Sequence, residues 1–301
     1  MSKIKARHLF AGAALAALIY GVAALVPAVA ADSTIPDFMQ GGIGWNSAGG
    51  MEHVAGSPLP VGQDPKVKYV PNNVGGQPTW RYGDVNNPNL TDFAKEGLKK
   101  ANQMIDAGFS MYNRTSRCWQ PGIPTLDLSP GRTYFLQTPK TVYIIWQRDQ
   151  IVRPVHMNVA HSANPKPSWN GESVGHYEGD TLVVDTIGQT TKSFVDLYRT
   201  PHSEKLHVVE RFRMIEGGKK LQVEITVDDP ATFKQPWKGT KVWEKVTTQP
   251  AEPGNVTGTF AEEIRCMDGE MVNPLNQAYA DKLEPIPTDK DGAEQRLLSG
   301  G

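Results

Sequence analysis

Several features that mark common activities are scarce or missing in this chain. It has two cysteines in 301 residues, Cys118 and Cys266. It has no compact His-Glu-x-x-His pair, the helical arrangement that holds a catalytic zinc. It also lacks a glycine loop running into a helix, so nothing cradles a nucleotide phosphate. Positive charge is not in excess: 31 Lys and Arg face 32 Asp and Glu, which leaves no electrostatic footprint for nucleic acid. Long apolar runs are limited to one, Leu9 to Val26.

That run has the layout of an export signal. Lys3, Lys5 and Arg7 precede it, and Ala28-Val29-Ala30 follows as a small-residue cleavage site before Ala31. An uncleaved anchor is the alternative, since the run is only slightly short for a span. The polar stretch "ADSTIPDF" after the site favours cleavage, hence a periplasmic or secreted protein with no membrane span once residues 1–30 are removed. Losing three basic residues moves the formal charge from -1 to -4. In an oxidising compartment Cys118 and Cys266 are expected to pair rather than to act as thiols. Closing so long a loop is worth roughly 3 to 5 kcal/mol in the chain-entropy model.

From residue 31 to about 82 the chain is rich in Gly, Pro and Asn and shows no sustained periodicity, so an irregular N-terminal arm is expected through residue 110. One helix interrupts it near 91–107, opening at a Thr or Asp cap and stopping near Gly108, with Phe93, Leu98, Met104 and Ile105 as its apolar stripe. Then the pattern changes. "TVYIIWQRDQIVRPVHM" reads as two β runs around Asp149-Gln150, and "ESVGHYEGDTLVVDT" as a hairpin turning at Gly179-Asp180. "KLHVVERFRMIEGGKKLQVEITVDD" is a hairpin turning at Glu216 to Gly218, and "TKVWEKVTT" a further strand. This spacing predicts a mainly β fold, an antiparallel meander closing into a barrel of lipocalin-like shape over 111–275, with a tail at 276–301.

The two-residue period then sorts side chains by face. Glu172, Val174, His176 and Glu178 share one side of their strand, and Ser173, Gly175 and Tyr177 the other. On a later strand His207, Val209, Arg211 and Arg213 lie opposite Leu206, Val208, Glu210 and Phe212. A charge on a face with apolar neighbours is either paired in the interior or exposed beyond the sheet edge.

The segments "HSANPKPSWNGESVGHYEGDTLVVDTIG", "TPHSEKLHVVERFR" and "VDDPATFKQPW", between Pro154 and Trp237, resemble those of an uncharacterised family of exported bacterial proteins. The family's pattern is matched at His161, Trp169, Gly171, Ser173, Gly175, His176, Glu178, Gly179, Asp180, Asp185, Asp196, His202, Ser203, His207, Glu210 and Arg211. It is also matched at Cys118 and Cys266, but not at His156. The resemblance implies a shared pocket and supplies no reaction.

Five histidines fall between residues 156 and 207. His161, His176, His202 and His207 are the cluster to explain, and the expectation is that they converge in one chamber. An imidazole oriented by Glu178 or Asp185 can move protons near neutral pH, and Arg211 can stabilise an oxyanion. That chemistry fits an isomerase or lyase acting without a cofactor on a small apolar or aromatic molecule, with Trp119, Trp146, Trp169 and Tyr177 against the substrate. Two alternatives remain. One is a carrier whose cavity is lined by Trp119, Trp146, Trp169 and Trp237. The other is a metalloenzyme with zinc or iron on His161, His176, His202 and His207. "GESVG" matches the G-x-S-x-G nucleophile elbow letter for letter, but a hairpin follows where the motif needs a helix. Taken singly, these residues also have structural readings: the Gly179-Asp180 turn, a loop cap at His202 to Glu204, and a surface ion pair between Glu210 and Arg211.

Overall fold

A computed structural model of the chain describes residues 35–70, 81–106, 120–128, 131–147 and 150–248. The expected export segment, Trp119, the Cys118–Cys266 link and the tail at 276–301 lie outside the described residues. Nine strands form a closed barrel in chain order: β1 (Trp45–His53), β2 (Arg132–Gln137), β3 (Thr141–Trp146), β4 (Ile151–Met157), β5 (Glu172–Glu178), β6 (Thr181–Ile187), β7 (His207–Ile215), β8 (Lys220–Asp228) and β9 (Trp237–Lys245). The fold is the mainly β barrel expected from the sequence.

One seam departs from the antiparallel meander. β4 and β5 run parallel through His156↔Val174 and Met157↔Gly175. Parallel neighbours cannot be joined by a tight turn, so residues 158–171 must cross from one end of the strand pair to the other. That crossover carries His161 and Trp169, and the site depends on it.

Two strands, β1 and β2, were hidden in the sequence. β1 comes from the arm expected to be irregular, so the barrel begins at Trp45 and its last described strand ends at Lys245. β1 lacks the alternation that marks a strand, with Gly49 and Gly50 in its middle, and its register against β9 shifts between Ala48 and Glu52. The buried Lys241 of β9 donates to the carbonyl oxygens of Ala48 and Gly49 at that irregularity. Pairing with β9, rather than local propensity, makes these residues a strand.

The helix, α1 (Asp92–Met104), is capped by the Thr91 hydroxyl, which accepts from the Ala94 amide. Its buried face is Ala94, Leu98, Ala101 and Asn102. Of the expected stripe, Leu98 and Ile105 are buried and Met104 is half-buried, whereas Phe93 lies off this face at 52% exposure. Asn102 exchanges hydrogen bonds with both the amide and the carbonyl of Gly83. A side chain at Gly83 would run into Leu98.

Inside the barrel an aromatic chain crosses the core. Phe38 lies 5.1 Å from Phe135, Phe135 lies 5.5 Å from Phe212, and Phe212 lies 6.2 Å from Trp243, measured between ring centres. Trp146 and Trp237 belong to this core at 3% and 1% exposure, packed among apolar neighbours. Among the described residues, no helix is long and apolar enough to cross a membrane. Replacing Phe212 with Ala should cost about 3 to 5 kcal/mol of unfolding free energy, measured by urea denaturation of the purified protein. A loss below about 1 kcal/mol, the surface level, would mean that the aromatic chain does not hold the core.

Candidate functional site

Alternation along β5, β6 and β7 separates two polar groups. The first lies on the outer face of the barrel. Its centre is Asp185 of β6, whose Oδ1 is 3.0 Å from His161 Nε2 and 2.9 Å from His207 Nε2. His161 Nδ1 is in turn 3.0 Å from Oε1 of Glu172 on β5. Glu172 is fixed by Ser162, whose amide and hydroxyl both donate to its carboxylate. The result is a chain of alternating acids and imidazoles, Glu172, His161, Asp185 and His207.

The parallel seam explains how His161 reaches this chain. The crossover starts where the Asn158 amide donates to the Gly175 carbonyl, and it returns through Ser168, which bonds the backbone of Gly188 and Thr190. Re-entry into β5 occurs at Gly171, at φ 67°, where an added Cβ would lie 2.4 Å from the Ile187 carbonyl oxygen. Only glycine fits there. The loop is thereby laid along the outer face of β5 and β6.

Both ring nitrogens of His161 face carboxylates, so the ring donates to both only when doubly protonated. Hydrogen bonding to Asp185 raises the His207 pKa above its ordinary value of 6.5, outweighing partial burial. Burial pushes Asp185 upward, but the hydrogen bonds from His207 and His161 prevail and hold it below the usual range. Glu172 is lowered mainly by the Ser162 hydroxyl and amide. At neutral pH the outer cluster therefore presents ionised carboxylates beside the rings of His161 and His207. With His161 at 20% and Asp185 at 38% exposure, solvent and small molecules can reach it.

The other expected residues are placed elsewhere. His176 pairs with Glu178 at 3.0 Å, and Arg211 donates to the same carboxylate at 2.6 Å. Arg211 first, and His176 second, hold the Glu178 pKa down to about 2. This is an exposed ladder on the same outer face, continued by Arg213 and Asp180, and exposed pairs contribute little to stability. His202 is buried, with Nε2 2.9 Å from the Ser193 hydroxyl and Nδ1 2.9 Å from the Ser203 carbonyl oxygen. The four imidazoles thus do not meet in one enclosed chamber: His161 and His207 converge, His176 stands apart, and His202 is a loop histidine in the interior. Among the described residues, no group of three or more His, Cys, Asp or Glu is arranged to hold a metal ion. Trp169 lies half-buried on the crossover. Tyr177 accepts a hydrogen bond from Gln137, whose side chain also ties down the backbone at Pro36 and Phe38.

The second polar group lies inside the barrel. Arg153 of β4 makes a two-pronged ion pair with Glu210 of β7, at 2.8 and 2.5 Å. The same guanidinium donates to Ser173 on β5 and Thr186 on β6. Arg153 is 1% exposed and Glu210 fully buried. Glu210 therefore does not pair with Arg211 on the surface; successive residues of one strand point to opposite faces. Ser173 sits mid-strand as an acceptor for Arg153 and a partner of Thr186, with no helix after it, so the GESVG match is not a nucleophile elbow. Sequence reasoning missed Arg153, Thr186 and Asp127. The available signal was Arg153 itself, a charge at an inward position of the alternating run "IVRPVHM" whose neighbours Ile151, Val155 and Met157 are all buried.

The chain matches no protein-family model and no curated protein.

A test of the outer cluster follows from its electrostatics. In Asp185→Asn the His207 pKa should fall toward or below 6.5, followed through the imidazole proton resonances. Because the folded value is raised, the His207 contribution to stability is complete below pH 6.5 and disappears as pH rises through the folded value. Asp185→Asn should flatten that dependence. An unchanged His207 midpoint would contradict the arrangement.

Proposed function

We propose that the chain is an exported small-molecule enzyme whose acid-base work is done at the outer-face cluster of Glu172, His161, Asp185 and His207. The observation that carries this reading is the convergence of two imidazoles on one carboxylate oxygen, at 3.0 and 2.9 Å, on an accessible face. A surface ion pair needs one imidazole; a relay that takes a proton at one position and returns it at another needs two. Asp185 holds both rings in register, and Glu172 orients His161 in the way an acid orients a catalytic histidine. The reaction class this supports is proton transfer without a resident cofactor, of isomerase or lyase type. Apolar surface for a substrate is offered on the same crossover by Val159, 55% exposed, and by half-buried Trp169. Export rests on the basic, apolar and small-residue order of residues 1–30.

A carrier is the second reading, favoured by one observation. A cavity of about 400 Å³ is lined by Pro36, Gln40, Asp180, Met214, Gly217, Gly218 and Lys245, a volume within the range of small-ligand sites. None of the four expected histidines lines it.

The experiment that separates the two is a screen of small aromatic and apolar carbonyl compounds in deuterium oxide. Proton NMR would follow both line broadening on binding and incorporation of solvent deuterium. The enzyme reading expects wild-type protein to catalyse exchange or conversion of at least one compound. It also expects Asp185→Asn and His207→Gln to lose about 100-fold or more of that rate while binding persists. Compounds that bind without exchange or conversion, with affinity unaltered in both variants, would establish the carrier instead.

A further inference from the structure

Residues 121–127 join α1 to β2, yet every one of them is buried, whereas connections normally run over the surface. The segment is tied down at three places before its end. The Gln189 side chain accepts from the Ile123 amide at 2.7 Å and donates to the Ile123 carbonyl at 2.9 Å. The Thr125 hydroxyl donates to the Phe194 carbonyl at 2.7 Å, and Leu126 is a core residue. The segment ends in a single 3-10 turn, Thr125–Leu128, which carries Asp127 into the interior.

Asp127 is fully buried, and neither of its carboxyl oxygens meets an N-H or O-H donor among the described residues. Its carboxyl lies beside the buried pair of Glu210 and Arg153, in which the guanidinium is already engaged by Glu210. A buried carboxyl group that has no donor of its own and stands beside a carboxylate already bound by a cation keeps its proton. With that proton, Asp127 donates to Glu210, and the group of Asp127, Glu210 and Arg153 is electrically neutral. Without it, one negative charge remains unpaired in the core, at a cost the fold can avoid by expelling the segment.

We propose that residues 121–128 form a proton-latched plug: the proton shared by Asp127 and Glu210 holds the segment in the barrel, and its loss releases the segment as a unit. Release opens the interior around Arg153 and Glu210 to water while the strands remain paired. The inference is independent of the outer-face cluster. The titratable groups facing Asp127 are Glu210 from β7 and Arg153 from β4. β5 and β6 bring only the hydroxyls of Ser173 and Thr186. β1, which also packs on the turn, carries titratable groups only at Glu52 and His53, both exposed. The direction of titration agrees with the geometry: burial first, and Glu210 second, push the Asp127 carboxyl well above the ordinary range, against the pull of Arg153. A raised acid binds its proton more tightly in the latched state. The latch is therefore strongest below the ordinary carboxylate range and weakens as pH rises toward the latched value.

The test is hydrogen exchange by mass spectrometry on the full chain across pH 5 to 10, with each peptide corrected for its intrinsic rate. In wild-type protein the segment 120–128 should lose protection with rising pH, by up to about tenfold per pH unit, while β7 and β8 stay protected. Asp127→Asn keeps a donor to Glu210 without an ionisable proton, so its segment should show protection independent of pH. Two results would overturn the proposal: corrected wild-type protection that does not change with pH, or a loss shared equally by β7 and β8. If Asp127→Asn does not fold, the segment-specific profile of the wild type decides alone.

Discussion

Arg153 and Glu210 set the terms for the rest of the barrel. A guanidinium and a carboxylate removed from water are costly unless every remaining donor and acceptor is satisfied. Here the strands on both sides contribute: Ser173 from β5 and Thr186 from β6 complete the guanidinium's partners, and the pair itself joins β4 to β7. Four strands are thus registered against one cation. A one-residue slip of any of them would turn its polar side chain to the outside and leave Arg153 incompletely paired. The surrounding aromatic chain of Phe135, Phe212 and Trp243 supplies apolar burial, but apolar contacts tolerate sliding more readily than a two-pronged ion pair does.

The same alternation that fixes the inner group assembles the outer one. With Glu210 and Thr186 inward, the neighbouring residues Val209 and Asp185 are paired across β6 and β7 on the outer side. His207 then stands two residues before Val209 on that side, within reach of Asp185. The parallel seam adds what pairing alone could not, because its crossover returns over β5 and β6 and delivers His161 and Ser162 to Glu172 and Asp185. The proposed acid-base chemistry is therefore assigned to the barrel's exterior, and the interior polar group to the fold and the proposed plug.

Much of this could be read from the residues. The turns at Gly179-Asp180 and at Glu216 to Gly218 are where the glycines and charged turn residues put them, and the sorting of Glu172, His176 and Glu178 opposite Ser173 and Gly175 follows from the strand period alone. For Glu210 the period left interior pairing and a surface ion pair with Arg211 both open, and its burial against Arg153 selects the first. What stayed hidden depended on distant partners. β1 has little strand character and exists because β9 offers it an edge and Lys241 satisfies its displaced carbonyls. The parallel seam rests on two paired positions and leaves no local mark. The spacing of five sets His202 apart from His207, in the "RTPHSE" loop, but its burial against Ser193 leaves no mark in the sequence. Asp127, in a Pro/Gly-rich connection, gives no sign that the connection is buried.

The measurement that bears most directly on this account is a double-mutant cycle on the buried pair, read as unfolding free energy in urea. Removing one partner, in Arg153→Met or Glu210→Leu, should cost about 3 to 5 kcal/mol because the remaining charge stays buried without its two-pronged partner. Replacing both should recover most of that loss, giving a coupling of more than about 2 kcal/mol. Single losses of less than about 1 kcal/mol that simply add in the double variant would show that the pair is solvated, and that the register of β4, β5, β6 and β7 does not hang on it.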